Sequence, residues 1–285
     1  MDYFLTRRHM AAGMSALVAA RALPAGAVTV ETITAIERSH GGRLGVFALD
    51  TGSGRMLAHR PDDRFLAQST FKGILAAMML SRVDAGRDTL GRRVPYSASD
   101  LVVASPVTRA HVAAGGMTVG ALCQAILERS DNTAANLLLR GIGGPASLTA
   151  YVRGLGDTVT RFDDYEPLGS WAGTRNTTTP RAIAFCVRAT ILGDALKPGS
   201  RALLERWMAT NVVGRTRLRA SFPQGWIGCD RTGTSDGVCN DYAVARRPGR
   251  APLIMAAYYD APGMDMAPQE AVLRAVGAAF VAWAG

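Results

Sequence analysis

The chain has 285 residues, of which 48% are hydrophobic and 19% charged, and its formal net charge is +9. These proportions are ordinary for a globular protein and exclude a disordered or low-complexity chain. The basic residues are spread along the sequence without a dense block, so we expect no nucleic acid partner. Four scattered histidines and four cysteines without a C-x-x-C pair give no zinc-ligand spacing, and we expect no metal site.

The first residues have the pattern of an export signal. The pair Arg7-Arg8 precedes an apolar stretch at residues 10–20, and small residues at 25–27 supply a cleavage site. The arginine pair fits a twin-arginine signal, while a general secretory signal and a first amphipathic helix of the domain are alternatives. We expect residues 1–27 to be a signal peptide. The mature residues 28–285 would then be periplasmic or secreted, with no membrane attachment after cleavage.

Strand patterns occur near the two ends of the chain, and helix patterns fill the middle. Residues 29–40 favour a helix, and residues from 268 onward favour a closing helix. The predicted strands are 44–50, 56–60, 226–232, 242–246 and 253–259, the first two joined as a hairpin by Thr51-Gly-Ser-Gly54. The predicted helices between them begin near Ser69, Thr118, Asp131, Pro180 and Ser200.

This order predicts an α+β fold, an α/β sandwich with an inserted helical part. An antiparallel sheet would join the strands of both chain ends and carry the terminal helices, forming an α/β lobe from residues 28–62 and 213–285. Residues 63–212 would form an all-helical lobe alongside. The cleft between the two lobes is the expected place for an active site.

Ser69-Thr-Phe-Lys72 places a hydroxyl and an amine on one face of a helix. A serine at a helix start is commonly a simple cap. Lys72, however, begins a mostly apolar helix, and it is one of only two lysines among 32 basic residues. A buried lysine is costly unless it is paired or neutral, and beside a serine it can take part in proton transfer. We interpret Ser69 as a nucleophile and Lys72 as its partner.

Two further motifs follow in the chain. In Ser130-Asp131-Asn132 we assign Asp131 as a helix cap; Ser130 could relay a proton and Asn132 could bind a substrate carbonyl and orient the lysine. Arg231-Thr232-Gly233-Thr234 ends a predicted strand. It is either a strand running into a turn or a cationic edge that binds a carboxylate, where Gly233 would let substrate approach closely.

The motifs S-x-x-K, S-D-N and [KR]-T-G in this order are typical of class A β-lactamases and penicillin-binding proteins. From about residue 29 to the end, the chain resembles a class A serine β-lactamase. The resemblance implies an enzyme that binds a small β-lactam and hydrolyses its amide bond, and hence a role in antibiotic resistance. It also implies that the protein is a monomer and uses no cofactor. A penicillin-binding peptidase or esterase and a non-catalytic β-lactam sensor are the alternatives.

Glu166 separates these alternatives. In Arg161-Phe-Asp-Asp-Tyr-Glu-Pro167 it resembles the glutamate on the family's Ω-shaped loop, which orients the water that hydrolyses the acyl-enzyme. Penicillin-binding transpeptidases lack this glutamate. The simpler interpretation is one more glutamate on a surface loop. Because X–Pro bonds tolerate the cis form and the family often has it here, we expect Glu166-Pro167 to be cis.

The resemblance also implies the roles of the other site residues. Ser69 would attack the lactam carbonyl, with the Ser69 and Thr234 N–H groups as the oxyanion hole. The base would be Lys72 or Glu166 acting through water, and Ser130 would protonate the lactam nitrogen. Arg231, Thr232 and Thr234 would contact the substrate carboxylate directly, and Arg219 would support that site.

Several positions depart from the family pattern. Ser170 stands where an asparagine normally helps to hold the water, and Ala104 replaces an aromatic residue at the cleft mouth. Asp164 and Asn176 occupy the places of an Arg–Asp bridge that closes the Ω-shaped loop. We therefore expect the bridge to be lost and the loop to be more mobile than usual, with hydrolysis retained.

The four cysteines allow one pairing. Cys229 and Cys239 could face each other across a hairpin as a disulfide, or they could be two reduced thiols. By resemblance Cys123 lacks its usual partner and should be a buried free thiol. We expect the same of Cys186, which lies within a predicted helix.

Overall fold

The computed structural model describes residues 29–169 and 171–285. Its strands are β1 (Arg43–Asp50), β2 (Met56–His59), β3 (Phe65–Leu66), β4 (Arg93–Pro95), β5 (Gly116–Thr118), β6 (Thr177–Thr178), β7 (Ile227–Ser235), β8 (Val238–Arg247) and β9 (Arg250–Asp260). Its α-helices are α1 (Val30–His40), α2 (Phe71–Asp84), α3 (Pro106–Ala110), α4 (Val119–Glu128), α5 (Asn132–Gly141), α6 (Pro145–Gly154), α7 (Pro180–Val187), α8 (Pro198–Ala209) and α9 (Met266–Ala284). The predicted signal peptide and Ser170 lie outside the described residues.

One five-stranded sheet has the order β2-β1-β9-β8-β7, and every neighbouring pair is antiparallel. The central pairing joins the two ends of the chain, since Leu44 of β1 lies opposite Tyr259 of β9. The α+β prediction, with a sheet built from N- and C-terminal strands, is therefore confirmed. Among the described residues, no helix has both the length and the apolar character needed to cross a membrane.

The two faces of the sheet pack against different helices. Along β1, Val46 and Ala48 are buried in a cluster with residues of α1 and α9, whereas Phe47 and Leu49 join the core that contains α2 and α7. This alternation is the period-two pattern of a strand that is buried on both faces. The sheet therefore has the terminal helices on one side and the central helices on the other.

The predicted helix starts are largely confirmed. The Thr118 hydroxyl accepts the N–H of Ala121, and the Asp131 carboxylate accepts the N–H of Ala134. Pro180 occupies the first turn of α7. The Thr118 and Asp131 side chains satisfy amide groups that the first turn of a helix leaves without a partner.

The disulfide alternative for Cys229 and Cys239 is wrong, because both cysteines are free thiols. The hairpin register places Cys229 opposite Val244 and Cys239 opposite Thr234, so the two cysteines are several residues apart along the strands. Their side chains also lie in the cores on opposite faces of the sheet. Cys123 and Cys186 are buried free thiols, as predicted.

Candidate active site

Ser69 lies in a tight turn directly before the central helix α2. The turn spans Gln68–Thr70, Gln68 has a left-handed φ of 46°, and α2 begins at Phe71. The Ser69 hydroxyl caps neither this single 3-10 turn nor α2. Its Oγ instead accepts a hydrogen bond from Lys72 Nζ at 2.9 Å and donates one to Glu166 Oε1 at 3.3 Å. The interpretation of Ser69 as a simple cap is therefore wrong.

Lys72 is fully buried, and oxygen atoms surround its amine. Besides Ser69 Oγ, Nζ lies 2.9 and 3.1 Å from the carbonyl and hydroxyl oxygens of Ser130, 2.5 Å from Asn132 Oδ1 and 2.8 Å from Glu166 Oε1. Burial lowers the pKa of Lys72 to about 8, although the neighbouring Glu166 carboxylate opposes this shift. The amine is therefore mostly protonated at neutral pH, but it can lose its proton in a mildly alkaline solution.

Ser130 occupies the turn between α4 and α5 with a φ of 57°. Its hydroxyl accepts hydrogen bonds from Lys72 Nζ and, at 2.5 Å, from the Arg231 guanidinium. The buried Asp131 carboxylate fixes this turn, since it also accepts the N–H groups of Val107 and Thr108 at 2.8 and 2.9 Å. Two cations thus hold the Ser130 hydroxyl beside the nucleophile.

The Glu166 side chain has a fixed orientation. Asn136, on α5, accepts the Glu166 N–H and donates to the Glu166 carbonyl, both at 2.8 Å. Glu166 Oε2 accepts the N–H of Leu168 at 2.9 Å, which turns Oε1 toward Ser69 and Lys72. The Glu166-Pro167 bond is cis, as predicted. Glu166 is buried, so it is not simply a glutamate on the surface.

The Glu166 loop is closed at its neck, where residues 163–164 meet residues 175–176. The groups that close it differ from those expected. Asn176 Oδ1 accepts the N–H groups of Asp163 and Asp164 at 2.9 and 3.1 Å. The Asp164 carboxylate pairs with Arg175 and accepts Asn176 Nδ2 at 2.7 Å. The family's Arg–Asp pair is absent at these positions, but an amide and an inverted Asp–Arg pair take its place.

Strand β7 forms another wall of the site. Arg231 is fully buried, and besides the bond to Ser130 its Nε donates to the Ser69 carbonyl at 3.1 Å. Burial lowers the pKa of Arg231 to about 10, which leaves it charged at neutral pH. At Gly233, an added Cβ would lie 2.8 Å from the Ala67 carbonyl. The expected role of Gly233 changes accordingly: the close approach is made by the chain's own turn at residues 67–70.

Arg217 and Arg219 face different surroundings. Arg217 lines the cleft, and its guanidinium donates to Thr234 Oγ1 at 2.7 Å and to the Gly233 carbonyl at 3.1 Å. Arg219 pairs with the buried Asp230 and donates to backbone carbonyls, including that of Ala209 at 2.9 Å. The structure thus places Arg219 away from the cleft and brings Arg217 to the position that we expected Arg219 to occupy.

These walls enclose an open cleft of about 870 Å³. The residues that line it include Ser69, Ala104, Arg109, Arg129, Ser130, Asn132, Glu166, Arg217, Thr232, Thr234 and Glu270. The buried Lys72 and Arg231 lie behind this surface. Within residues 29–169 and 171–285, no group of three His, Cys, Asp or Glu side chains is placed to hold a metal ion.

Sequence reasoning missed two residues of the site. Asn136 lies one helical turn after Asn132 and is buried, a spacing that places both side chains on one face of α5. That spacing was visible in the sequence. The choice between Arg217 and Arg219 had no such signal, because the two arginines are separated by one residue in an irregular segment.

Comparisons with known proteins identify the family. A model described as the β-lactamase enzyme family matches residues 29–284. A β-lactamase of Mycobacterium tuberculosis is 43% identical over 265 residues, covering 90% of this chain and 85% of that protein. An ancestral class A β-lactamase structure is 48% identical, with a TM-score of 0.86, and covers 88% of this chain and 98% of that one. The chain belongs to the class A serine β-lactamases.

A crystal structure of a β-lactamase from Burkholderia vietnamiensis is more similar still. It is 58% identical, with a TM-score of 0.88, and covers 89% of this chain and 95% of that one. The class A β-lactamase described here is therefore a hydrolase of β-lactams, and the fold and cleft above are the framework for its chemistry.

Proposed function

We propose that this β-lactamase forms an acyl-enzyme on Ser69 and releases it with a water molecule that Glu166 activates. One observation carries the proposal. The Lys72 amine and the Glu166 carboxylate both contact the Ser69 hydroxyl, at 2.9 and 3.3 Å, and lie 2.8 Å from each other. A nucleophile within reach of both a cation and a carboxylate is suited to form an acyl bond and then to break it.

In acylation, Glu166 accepts the Ser69 proton, directly or through water, and Lys72 acts as a cation. Two features support Glu166, and not Lys72, as the base in acylation. The pKa of Lys72, about 8, keeps the amine charged at neutral pH, and Nζ is surrounded by five oxygen atoms that suit an ammonium donor. The ammonium then stabilises the negative charge that develops on Ser69 Oγ.

Ring opening requires a proton on the lactam nitrogen, and Ser130 supplies it. Its hydroxyl lies 3.1 Å from Lys72 Nζ and 2.5 Å from the Arg231 guanidinium. The two cations favour the oxyanion that remains after the proton has left, and Lys72 can replace that proton. Arg231 thus acts on the substrate through Ser130 and through its positive charge, since it is buried behind the cleft surface.

The substrate carboxylate binds at Thr232 and Thr234, which line one end of the cleft, and the buried Arg217 supports this site with its positive charge. The Arg217 guanidinium is fixed by Thr234 and by the Glu270 carboxylate at 3.3 Å. A fixed guanidinium beside two hydroxyls is a strong site for a carboxylate. In this proposal Arg217 takes the role first assigned to Arg219. Asn132 lines the opposite wall and is placed to bind the substrate amide.

After acylation, Glu166 passes the proton that it took from Ser69 to Lys72, 2.8 Å away, which restores the ammonium. In deacylation, the ionised Glu166 then acts as the base for the hydrolytic water. The contacts with Asn136 and Leu168 keep its carboxylate directed at the acyl bond on Ser69. We also propose, from the sequence, that Ser170 helps to hold this water. The predicted signal at residues 1–27 supports export. By resemblance to the family, we also propose a monomer that protects its host cell against β-lactams.

A chromogenic cephalosporin such as nitrocefin tests the proposal. Purified residues 28–285 should turn over many equivalents. Glu166→Ala should release one equivalent more slowly than the wild type, because acylation also loses its base, and then stop, whereas Ser69→Ala should release none. A wild-type protein that stops after one equivalent would instead be a penicillin-binding protein. Steady turnover by Glu166→Ala at the wild-type rate would remove the assigned base.

A further inference from the structure

Two arginines on the cleft wall have no acidic partner in the described part of the chain. Arg109 lies in the last turn of α3, Arg129 follows α4, and both side chains are exposed and line the cleft that contains Ser69. Neither guanidinium forms an ion pair or a hydrogen bond with any residue of 29–169 and 171–285. Both charges are therefore available to a molecule that enters the cleft.

The acidic residues nearest in sequence are already engaged. The Asp131 carboxylate is fully buried and accepts three backbone N–H groups and the Thr108 hydroxyl. Glu128 Oε1 accepts Gln124 Nε2 at 2.8 Å and Thr210 Oγ1 at 2.9 Å. Because Asp131 ties the start of α3 to the turn that follows α4, Arg109 and Arg129 belong to one wall of the cleft.

The acidic groups inside the cleft are also paired. Glu166 contacts Lys72 at 2.8 Å, and Glu270 contacts Arg217 at 3.3 Å. An anion that enters therefore meets two unpaired cations on the helical wall, in addition to the positive charge of the buried Arg217 beside Thr234. In a cleft partly shielded from water, such charges attract an anion more strongly than the same charges on an open surface.

We propose that Arg109 and Arg129 form a second anion subsite, which favours β-lactams that carry an additional acidic group besides the ring carboxylate. The inference rests on the proposed function, because that proposal assigns the ring carboxylate to Thr232 and Thr234, supported by Arg217. The additional acidic group then lies toward the wall of α3 and the turn after α4. The subsite acts on specificity and leaves the reacting atoms untouched.

A matched pair of substrates tests the subsite: benzylpenicillin, with one carboxylate, and its α-carboxy derivative, with two. The quantity measured is the ratio of kcat/KM for the dianion to kcat/KM for the monoanion. In R109A/R129A this ratio should fall about fivefold at low ionic strength, and the loss should shrink above about 0.5 M salt as the charges are screened. R109K/R129K, which keeps both charges, should retain most of the ratio.

The control is R87A/R206A, which removes the same net charge from two exposed arginines that do not line the cleft. Its ratio should equal that of the wild type. An unchanged ratio in R109A/R129A, or an equal fall in the control, would overturn the subsite. Failure of the proposed function looks different, since benzylpenicillin would then form no acyl-enzyme on wild-type Ser69.

Discussion

Asn176 donates a hydrogen bond from Nδ2 to the Asp164 carboxylate over 2.7 Å, at the neck of the loop that carries Glu166. Asn176 Oδ1 also accepts the N–H of Asp164, and the Asn176 carbonyl accepts the N–H of Ala67 at 2.8 Å. One buried residue thus links the neck of the loop to the segment that leads into Ser69. We expect this link to set the distance between base and nucleophile.

Replacing Asn176 by aspartate should impair deacylation more than acylation. The new carboxylate cannot donate to Asp164, and it places two negative charges in contact where one hydrogen bond was present. Because small displacements of a catalytic group are costly, kcat should fall at least about tenfold. Stopped-flow measurement with nitrocefin would separate a preserved burst from a slowed steady state.

Arg175→Ala is the matched control for that experiment. Its ion pair with Asp164 lies at the surface, where such pairs contribute about 1 kcal/mol or less. The control should keep kcat within about twofold of the wild-type value. Wild-type kcat in Asn176→Asp would show that the amide does not position Glu166.

The protonation state of Lys72 predicts the alkaline limb of the pH profile. Its pKa of about 8 lies well below the ordinary 10.5, so the amine loses its proton as the pH rises through about 8. If the ammonium is the active form, kcat/KM for benzylpenicillin should fall above that pH. A rate that instead rises to a plateau above pH 8 would identify neutral Lys72 as the base.

Alanine substitutions at Arg217 and Arg219 should differ in their effect on KM. Arg217→Ala removes the positive charge that supports the carboxylate site at Thr234, so KM should rise about tenfold with a smaller change in kcat. Arg219→Ala leaves the fully buried Asp230 without its cation, which should cost about 3–5 kcal/mol of folding stability. Steady-state kinetics and thermal unfolding of both variants would check the assignment. A raised KM in a stable Arg219→Ala protein would restore the original role of Arg219.

The features that the sequence predicted depend on local spacing. Ser69 and Lys72 are three residues apart and therefore share a helix face, and Asp131 caps α5 through the next turn. The order of strands and helices along the chain was sufficient for the fold class, because the first and last strands had to find a common sheet.

The predictions that failed concern the pairing register of the hairpin that carries the two cysteines and the direction in which side chains point. Each of these depends on a few residues. The two-residue turn Asp236-Gly237, with Gly237 at a φ of 67°, pairs Ser235 with Val238 and so sets the two cysteines apart. The Asp-Gly pair is itself a sequence signal for a two-residue hairpin turn. The partners of Asn176 and the inward direction of Arg217 depend on packing between distant segments, which local patterns do not specify.

Intact mass measurement of Glu166→Ala mixed with benzylpenicillin tests the central claim most directly. The account predicts one penicilloyl adduct per chain, on Ser69, that forms more slowly than on the wild type and then persists for hours, whereas the wild-type protein under the same conditions returns to its free mass. An adduct that disappears from Glu166→Ala at the wild-type rate, or one attached to a residue other than Ser69, would contradict the account.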